Sequence, residues 1–219
     1  MRALITGGSR GIGKAIVSKF VEKSIDVIVP TRNELDLSSD NSIEEFSAKF
    51  NTPIDILINN AGINKISLLE NISDSEISEV LMVNLVAPIK LIRNLLPLLK
   101  QSNNAKIVNI SSIWSIVSKE GRSIYSISKS GIDALTRSLA LELAEIPILI
   151  NSVAPGYVNT ELTLKNNSAS QLEDIKKLIP LKRLANPKEI AEIVYFLSSP
   201  QNSYITGQTI IVDGGYTCR

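Results

Sequence analysis

Tyr125 and Lys129 stand four residues apart in Tyr125-Ser126-Ile127-Ser128-Lys129, and Ser112 lies upstream at the end of an apolar run. The chain contains no histidine, the side chain that most often moves protons near neutral pH. Acid–base chemistry here must use other groups. Positions i and i+4 of a helix share a face, so a phenol and an ammonium can be neighbours. Bringing a tyrosine pKa from about 10 to about 7 takes roughly 4 kcal/mol of preference for phenolate. One ammonium at about 4 Å in a partly screened site supplies roughly that much. The spacing by itself is weak evidence, because a chain with five tyrosines produces it by chance about one time in three. A surface helix carrying a tyrosine near a lysine is the alternative, and other residues have to decide.

A second chemical feature opens the chain. The first apolar run ends in Thr6-Gly7-Gly8-Ser9-Arg10-Gly11-Ile12-Gly13 and then enters a helical pattern. Glycines at a strand-to-helix turn allow positive φ and let backbone amides approach a pyrophosphate at the positive end of the helix. The spacing is G-x-x-x-G-x-G rather than G-x-G-x-x-G, and a tight turn without a ligand is the alternative reading. Gly7-Gly8-Ser9-Arg10-Gly11 also matches the G-x-S-x-G nucleophile elbow. That chemistry needs a histidine later in the chain, so a serine hydrolase is set aside, and a His-ligated zinc enzyme with it. The lone Cys218 allows neither a disulfide frame nor a cysteine metal cluster, and no metal is expected.

The elements that must position these residues follow from periodicity. Short β-rich apolar runs at Ala3–Thr6, Asp26–Val29, Ile54–Ile58, Lys106–Ile110, Ile148–Val153 and Thr209–Val212 read as strands. Helical patterns run over about Ile12–Lys23, Ser42–Phe50, Asp74–Leu99, Tyr125–Glu145 and Pro187–Leu197, the third interrupted by Asn84 and Pro88. This alternation predicts a single α/β domain over residues 1–219, a doubly wound, Rossmann-like parallel sheet covered on both faces. After the second strand, Thr31-Arg32-Asn33-Glu34 leads straight into Leu35-Asp36-Leu37, too short for a helical crossover. The helix between strands two and three is therefore expected to be missing or reduced, leaving a short or irregular third strand. Thr163–Gln171, rich in Asn and Ser, reads as a mobile flap or as a plain surface loop.

Bulk properties exclude several functions. A net charge of +1 offers no basic excess for nucleic acid. The opening Met1–Thr6 has too short an apolar run for a signal peptide, and no stretch is expected to reach bilayer-spanning length. A soluble, cytoplasmic protein is expected.

In open α/β sheets, ligands bind beyond the carboxyl ends of the strands. Asn59-Asn60-Ala61-Gly62, Ser111-Ser112, Pro155-Gly156 and Asp213-Gly214-Gly215 all follow expected strands. Four such segments beside the glycine-rich turn favour a site over scattered turns.

Together these residues resemble the short-chain dehydrogenase/reductase family. The resemblance covers essentially the whole chain and rests on Thr6-Gly7 through Gly11-x-Gly13, Asn59-Asn60-Ala61-Gly62, Asn84, Ser112, Tyr125-x-x-x-Lys129 and Pro155-Gly156 in that order. The C-terminal third, with Ile179–Leu184 and Tyr204–Gln208 running to Asp213-Gly214-Gly215, is most similar to 3-oxoacyl-[acyl-carrier-protein] reductases. The resemblance implies an oxidoreductase interconverting a ketone and a secondary alcohol. It assigns Tyr125 as acid or base, Ser112 to the substrate oxygen, Lys129 to the tyrosine pKa and the nicotinamide ribose, and Asn84 to a water in a proton relay. It places Gly7, Ser9, Arg10, Gly11, Ile12 and Gly13 around the pyrophosphate. Asn60, Ala61 and Gly62 fall near the adenosine ribose, and Asp36 near adenine. Pro155-Gly156, Val158 and Thr160 face the carboxamide and phosphate.

An NAD site commonly ends its second strand with an acid for the ribose 2′-hydroxyl. Here that end reads Pro30-Thr31-Arg32, with Arg10 nearby in the glycine-rich turn, and guanidiniums suit a 2′-phosphate. NADP(H) is the preferred cofactor and NAD(H) the alternative, should Arg32 stack on adenine instead. The expected substrate is a small or carrier-linked carbonyl compound, a 3-oxoacyl thioester first and a sugar-derived or other small polar ketone second. A nucleotide-sensing protein without catalysis is the rival from another class. Such sensors lose the tyrosine or lysine, and this chain has both. Trp114 reads either as substrate wall or as core or interface packing. The resemblance also implies a homo-oligomer, a tetramer or dimer, for which Ser126, Ser130 and Ala134 give a face small enough for close helix packing.

Overall fold

The computed structural model describes residues 1–218. Six parallel strands form one sheet: β1 (Arg2–Ile5), β2 (Asp26–Ile28), β3 (Ile56–Asn59), β4 (Ala105–Ile110), β5 (Ile148–Pro155) and β6 (Thr209–Val212), in spatial order β2-β1-β3-β4-β5-β6. The helices are α1 (Gly11–Glu22), α2 (Asp40–Ala48), α3 (Asp74–Leu81), α4 (Ala87–Leu99), α5 (Ser123–Glu142), α6 (Glu161–Lys165), α7 (Ala169–Leu178) and α8 (Pro187–Ser198). The doubly wound, single-domain reading holds.

Alternation along each strand feeds two cores, because successive side chains point to opposite faces. On one face Leu4, Leu57 and Ile107 pack with Ile43, Leu91 and Leu95. On the other, Ala3, Ile5, Ile56 and Ile58 pack with Ile16, Phe20, Ile190 and Val194. Phe20 of α1 is fully buried and meets the Tyr195 ring of α8 edge-on, with ring centroids 6.0 Å apart. Burying one such side chain is worth about 1.5–3 kcal/mol, so α1 is fixed against α8 and its N-terminus is held at the end of β1.

The expected third strand does not form. Leu35-Asp36-Leu37 lies in a turn region between β2 and α2. The Glu34 carboxylate accepts from the Thr31 amide and hydroxyl, both at 2.8 Å, while the Glu34 and Leu35 amides bond the Thr31 carbonyl. These bonds curl the chain, and Leu35 is driven into the core instead of onto the sheet edge. The shortened segment thus removes a strand and leaves β2 at the edge. From β2 the chain crosses over β1 to β3 by way of α2, so the sheet order reverses at the β1–β3 pair.

Two further expectations are corrected. Thr163–Gln171 is not a loop throughout: it contains the end of α6, capped by Thr160, and the start of α7. Ser168 and Gln171 cap α7 reciprocally, each side chain bonding the other's backbone amide. The segment Asp74–Leu99, contrary to expectation, is long and apolar enough over 26 residues to cross a membrane by length and composition. Asn84 and Pro88 read as breaks, but the helix continues through a π-helical turn at Met82–Val86. Pro88, just after this turn, withholds one backbone donor from the continuing helix without ending it. Leu91, Leu95 and Leu99 belong to the sheet-facing core.

Candidate active site

A cleft of about 850 Å³ opens across the carboxyl ends of the strands, where the sheet order reverses. Every site residue expected from sequence lines it except Asn84.

At one end is the glycine-rich turn. Gly7 and Gly11 have φ of +66° and +54°, in the left-handed region where only glycine is unstrained. Gly13 has no room for a side chain: a Cβ there would lie 2.1 Å from the Gly7 carbonyl oxygen. Thr6 and Asn60 fasten this turn to the end of β3. The Thr6 hydroxyl accepts from the Asn60 and Ala61 amides at 3.0 and 3.1 Å, and the Asn60 side-chain amide donates to the Thr6 and Gly7 carbonyls at 2.9 and 3.0 Å. Helices α2, α3, α7 and α8 are capped by Ser39, Ser73, Ser168 and Asn186, whereas Arg10 makes no side-chain cap on α1. The first-turn amides of α1 are thus left for an anion, at the positive end of the helix dipole. Such a turn, tight where chain meets chain and uncapped where it faces the cleft, fits a dinucleotide pyrophosphate.

Two arginines stand over the outer part of this end. Arg10 is exposed, and Arg32 is 78% exposed with its Nε 3.9 Å from an Asp36 carboxylate oxygen. Asp36 itself accepts from the Ser38 amide and hydroxyl, which hold its pKa below the usual carboxylate value.

The catalytic candidates converge at the other end. Ser112 follows β4 in extended conformation, and its hydroxyl accepts from the Trp114 amide at 3.3 Å. Tyr125 and Lys129 occupy the first two turns of α5 on one face, as their spacing requires. Lys129 is 4% exposed, and its ammonium donates to the Ile110 carbonyl at 2.7 Å. Burial lowers its pKa to about 8, against the opposing pull of Asp133. Its Nζ lies 5.7 Å from the Tyr125 ring centroid. Burial raises the Tyr125 pKa, opposed by the neighbouring Ser112 hydroxyl and then by the Arg122 charge. Ser112 and Arg122 both ease ionisation of the phenol, two groups that sequence reasoning did not connect with its pKa.

Asn84 lies behind the cleft in the π-helical turn, 1% exposed. Its side chain accepts from the Ile63 amide and donates to the Ile63 carbonyl, both at 2.8 Å, and donates to the Ser128 hydroxyl at 3.2 Å. It ties the segment after β3 to α5. Asp213 is half-buried, and its carboxylate accepts from the Gly215 and Thr217 amides and the Thr217 hydroxyl. It buttresses Gly156, where a Cβ would approach Asp213 to 2.7 Å.

Trp114, Tyr157 and Tyr216 form an edge-to-face triad with centroids 5.7–6.2 Å apart, and the first two line the cleft. Sequence reasoning did not single out Arg122, a buried cleft residue at the N-cap of α5, three residues before Tyr125. Its three-residue spacing from Tyr125 is the one signal that could have flagged it.

A family model described as enoyl-(acyl carrier protein) reductase matches residues 30–217. The 3-oxoacyl-[acyl-carrier-protein] reductase of Chlamydia pneumoniae is 33% identical over 240 residues, covering 99% of this chain and 96% of that protein. Among solved structures, a 4-hydroxyisoleucine dehydrogenase mutant complexed with NADH and succinate superposes with a TM-score of 0.95 at 32% identity, covering 100% of this chain and 99% of its own. A Pseudomonas aeruginosa RhlG complex with NADP gives 0.92 at 31% identity, covering 99% and 96%. The cleft, its glycine-rich floor and these relatives lead to one assignment: the chain belongs to the short-chain dehydrogenase/reductase family of nicotinamide-dependent oxidoreductases.

Proposed function

We propose that the protein is an NADP(H)-dependent carbonyl reductase, interconverting a ketone and a secondary alcohol with Tyr125 as the acid or base. The observation that carries this is the meeting of Ser112, Tyr125 and Lys129 in one cleft with an uncapped helix N-terminus. The nicotinamide group, when bound, supplies or accepts the hydride.

In the reducing direction the protein's own work is to orient the carbonyl and deliver a proton. The Ser112 hydroxyl donates to the substrate oxygen and stabilises the charge that gathers there. The Tyr125 hydroxyl gives up its proton to that oxygen; the raised pKa keeps the phenol in its acid form at neutral pH. Lys129 is held by the Ile110 carbonyl and keeps two donors for the nicotinamide ribose, with its positive charge beneath the site. Asn84 positions α5 through Ser128 and the segment after β3 through Ile63; a relay water would be held by its backbone, its side chain being engaged.

Arg10 and Arg32 support NADP(H) over NAD(H), since both can reach a 2′-phosphate from the rim. The relatives support a 3-oxoacyl skeleton as the first substrate class. A homo-oligomer is part of the same reading. Its support is an α5 face on which Ser130 and Ala134 are exposed beside Ile127, with exposed Leu141 further along the helix. A cytoplasmic location agrees with the unpaired Cys218.

The test is consumption of NADPH and NADH across a carbonyl panel containing a 3-oxoacyl thioester, a 3-oxo acid and a sugar-derived ketone. Turnover of a ketone with NADPH at higher kcat/KM than with NADH is expected. Better turnover with NADH contradicts the cofactor assignment, and no turnover of any carbonyl contradicts the reaction.

A further inference from the structure

Arg122 is only 8% exposed, yet its Nε and Nη1 have no hydrogen-bond partner among the described residues. A charge so withdrawn from water normally sits against an acid. Among the described residues no ion pair within 4.0 Å includes it, and the groups that sense its charge are two phenols, Tyr157 and Tyr125. It lines the cleft with Tyr157 and Trp114, at the N-cap of α5 and three residues before Tyr125. The glycine-rich turn that fits the pyrophosphate is at the cleft's other end, so Arg122 is not needed for the cofactor.

We propose that Arg122 forms an anion subsite for the substrate, binding a carboxylate on the same short carbon chain as the carbonyl that Tyr125 protonates. The planar guanidinium matches a carboxylate with two parallel hydrogen bonds. A phosphate dianion would call for a second cation, whereas here Tyr157 and Trp114 give an aromatic wall suited to a short carbon chain. Arg122 is the N-cap residue of α5, three residues before Tyr125, and both line the cleft, so a carboxylate it binds belongs to the same small substrate as the carbonyl. This rests on the reductase reading for the reaction and narrows its substrate: a 3-oxoacyl skeleton ending in a free carboxylate is favoured over the same skeleton as a thioester.

The experiment compares 3-oxobutanoate with methyl 3-oxobutanoate in the NADPH-loaded protein. Wild type should favour the acid in kcat/KM by about 10- to 100-fold, the range for a charged hydrogen bond, with most of the difference in KM. In Arg122→Gln that preference should collapse towards one, and Arg122→Lys should restore part of it. Binding is read separately by fluorescence of Trp114, the chain's one tryptophan, on titrating the NADP-loaded protein with 3-hydroxybutanoate and its methyl ester. Tighter binding of the acid, lost in Arg122→Gln, supports the subsite even without turnover. Wild-type preference for the ester, or acid binding unchanged in Arg122→Gln, overturns it while leaving the reductase reading intact. Absence of turnover with every carbonyl counts against the reductase reading, and the fluorescence titration still decides the subsite.

Discussion

The Lys129 ammonium donates to the Ile110 carbonyl at 2.7 Å while standing 5.7 Å from the centre of the Tyr125 ring. The backbone at the end of β4 thus fixes the lysine that sits one turn from the proposed acid. Because Ile110 also leads directly into Ser111-Ser112, the same strand end places both the hydroxyl donor and the charge. A cation held in so dry a place is costly, and its function can be separated from its contribution to stability.

Replacing Lys129 by Met should therefore stabilise the free protein at pH 7 and abolish turnover. The shift from 10.5 to about 8 corresponds to about 3 kcal/mol at about 1.4 kcal/mol per unit. About 1 kcal/mol is lost again because the Ile110 carbonyl loses its donor. The remaining gain of about 2 kcal/mol should raise Tm by roughly 4–8 °C. Since the folded pKa lies below the unfolded one, the unfolded chain holds more protons between them. This residue's destabilising contribution is full below about pH 8 and fades towards 10.5. The variant's advantage in thermal melts should shrink across the same interval, and a variant less stable than wild type at pH 7 contradicts this.

Gly13→Ala should remove cofactor binding. The added Cβ would meet the Gly7 carbonyl at 2.1 Å, a backbone atom that can yield only if the turn moves. Overpacking of this kind costs about 1–3 kcal/mol, so the protein should still fold with a lowered Tm. Thermal-shift titration with NADPH should show no stabilisation; a wild-type shift would mean that the turn does not hold the pyrophosphate.

The Arg10→Ala, Arg32→Ala double variant should weaken NADPH about tenfold, a modest loss because both side chains are exposed. NADH affinity should stay within about twofold, by the same exposure argument. Fluorescence titration of both cofactors measures this, and an equal loss for the two would remove the 2′-phosphate assignment.

Ser112→Ala should lower kcat by about 10²- to 10³-fold, the usual loss when one donor to a developing oxyanion is removed. NADPH affinity should be unchanged. Steady-state kinetics that show only a raised KM would make Ser112 a binding residue instead.

The parts of this fold legible in sequence are those written locally. Strand runs such as Ile56–Asn59 and Ala105–Ile110 are buried along their whole length and rich in Ile, Leu and Val, so they read as short apolar strands. The glycine-rich turn, Asn60 and the Tyr125–Lys129 spacing were legible because each is a short motif at a strand or helix end. Leu35-Asp36-Leu37 misled because its alternation resembles a strand, while the Glu34 side chain decides the backbone by capping Thr31. Helix α7 was hidden by polar composition, although the Ser168–Gln171 capping box announces it. Arg122 and the Lys129–Ile110 bond depend on contacts made only in three dimensions, and no local pattern marks an arginine that will be buried without an acid.

The most direct measurement is single-turnover and steady-state reduction of the best ketone by Tyr125→Phe with NADPH. Removing the phenolic proton donor should lower kcat by about 10²- to 10⁴-fold, the usual worth of general acid catalysis. The NADPH thermal shift should match that of wild type, since the ring and the glycine-rich turn remain. Turnover within about threefold of wild type would contradict Tyr125 as the acid and, with it, the mechanism proposed for this cleft, because a lost general acid costs far more than that.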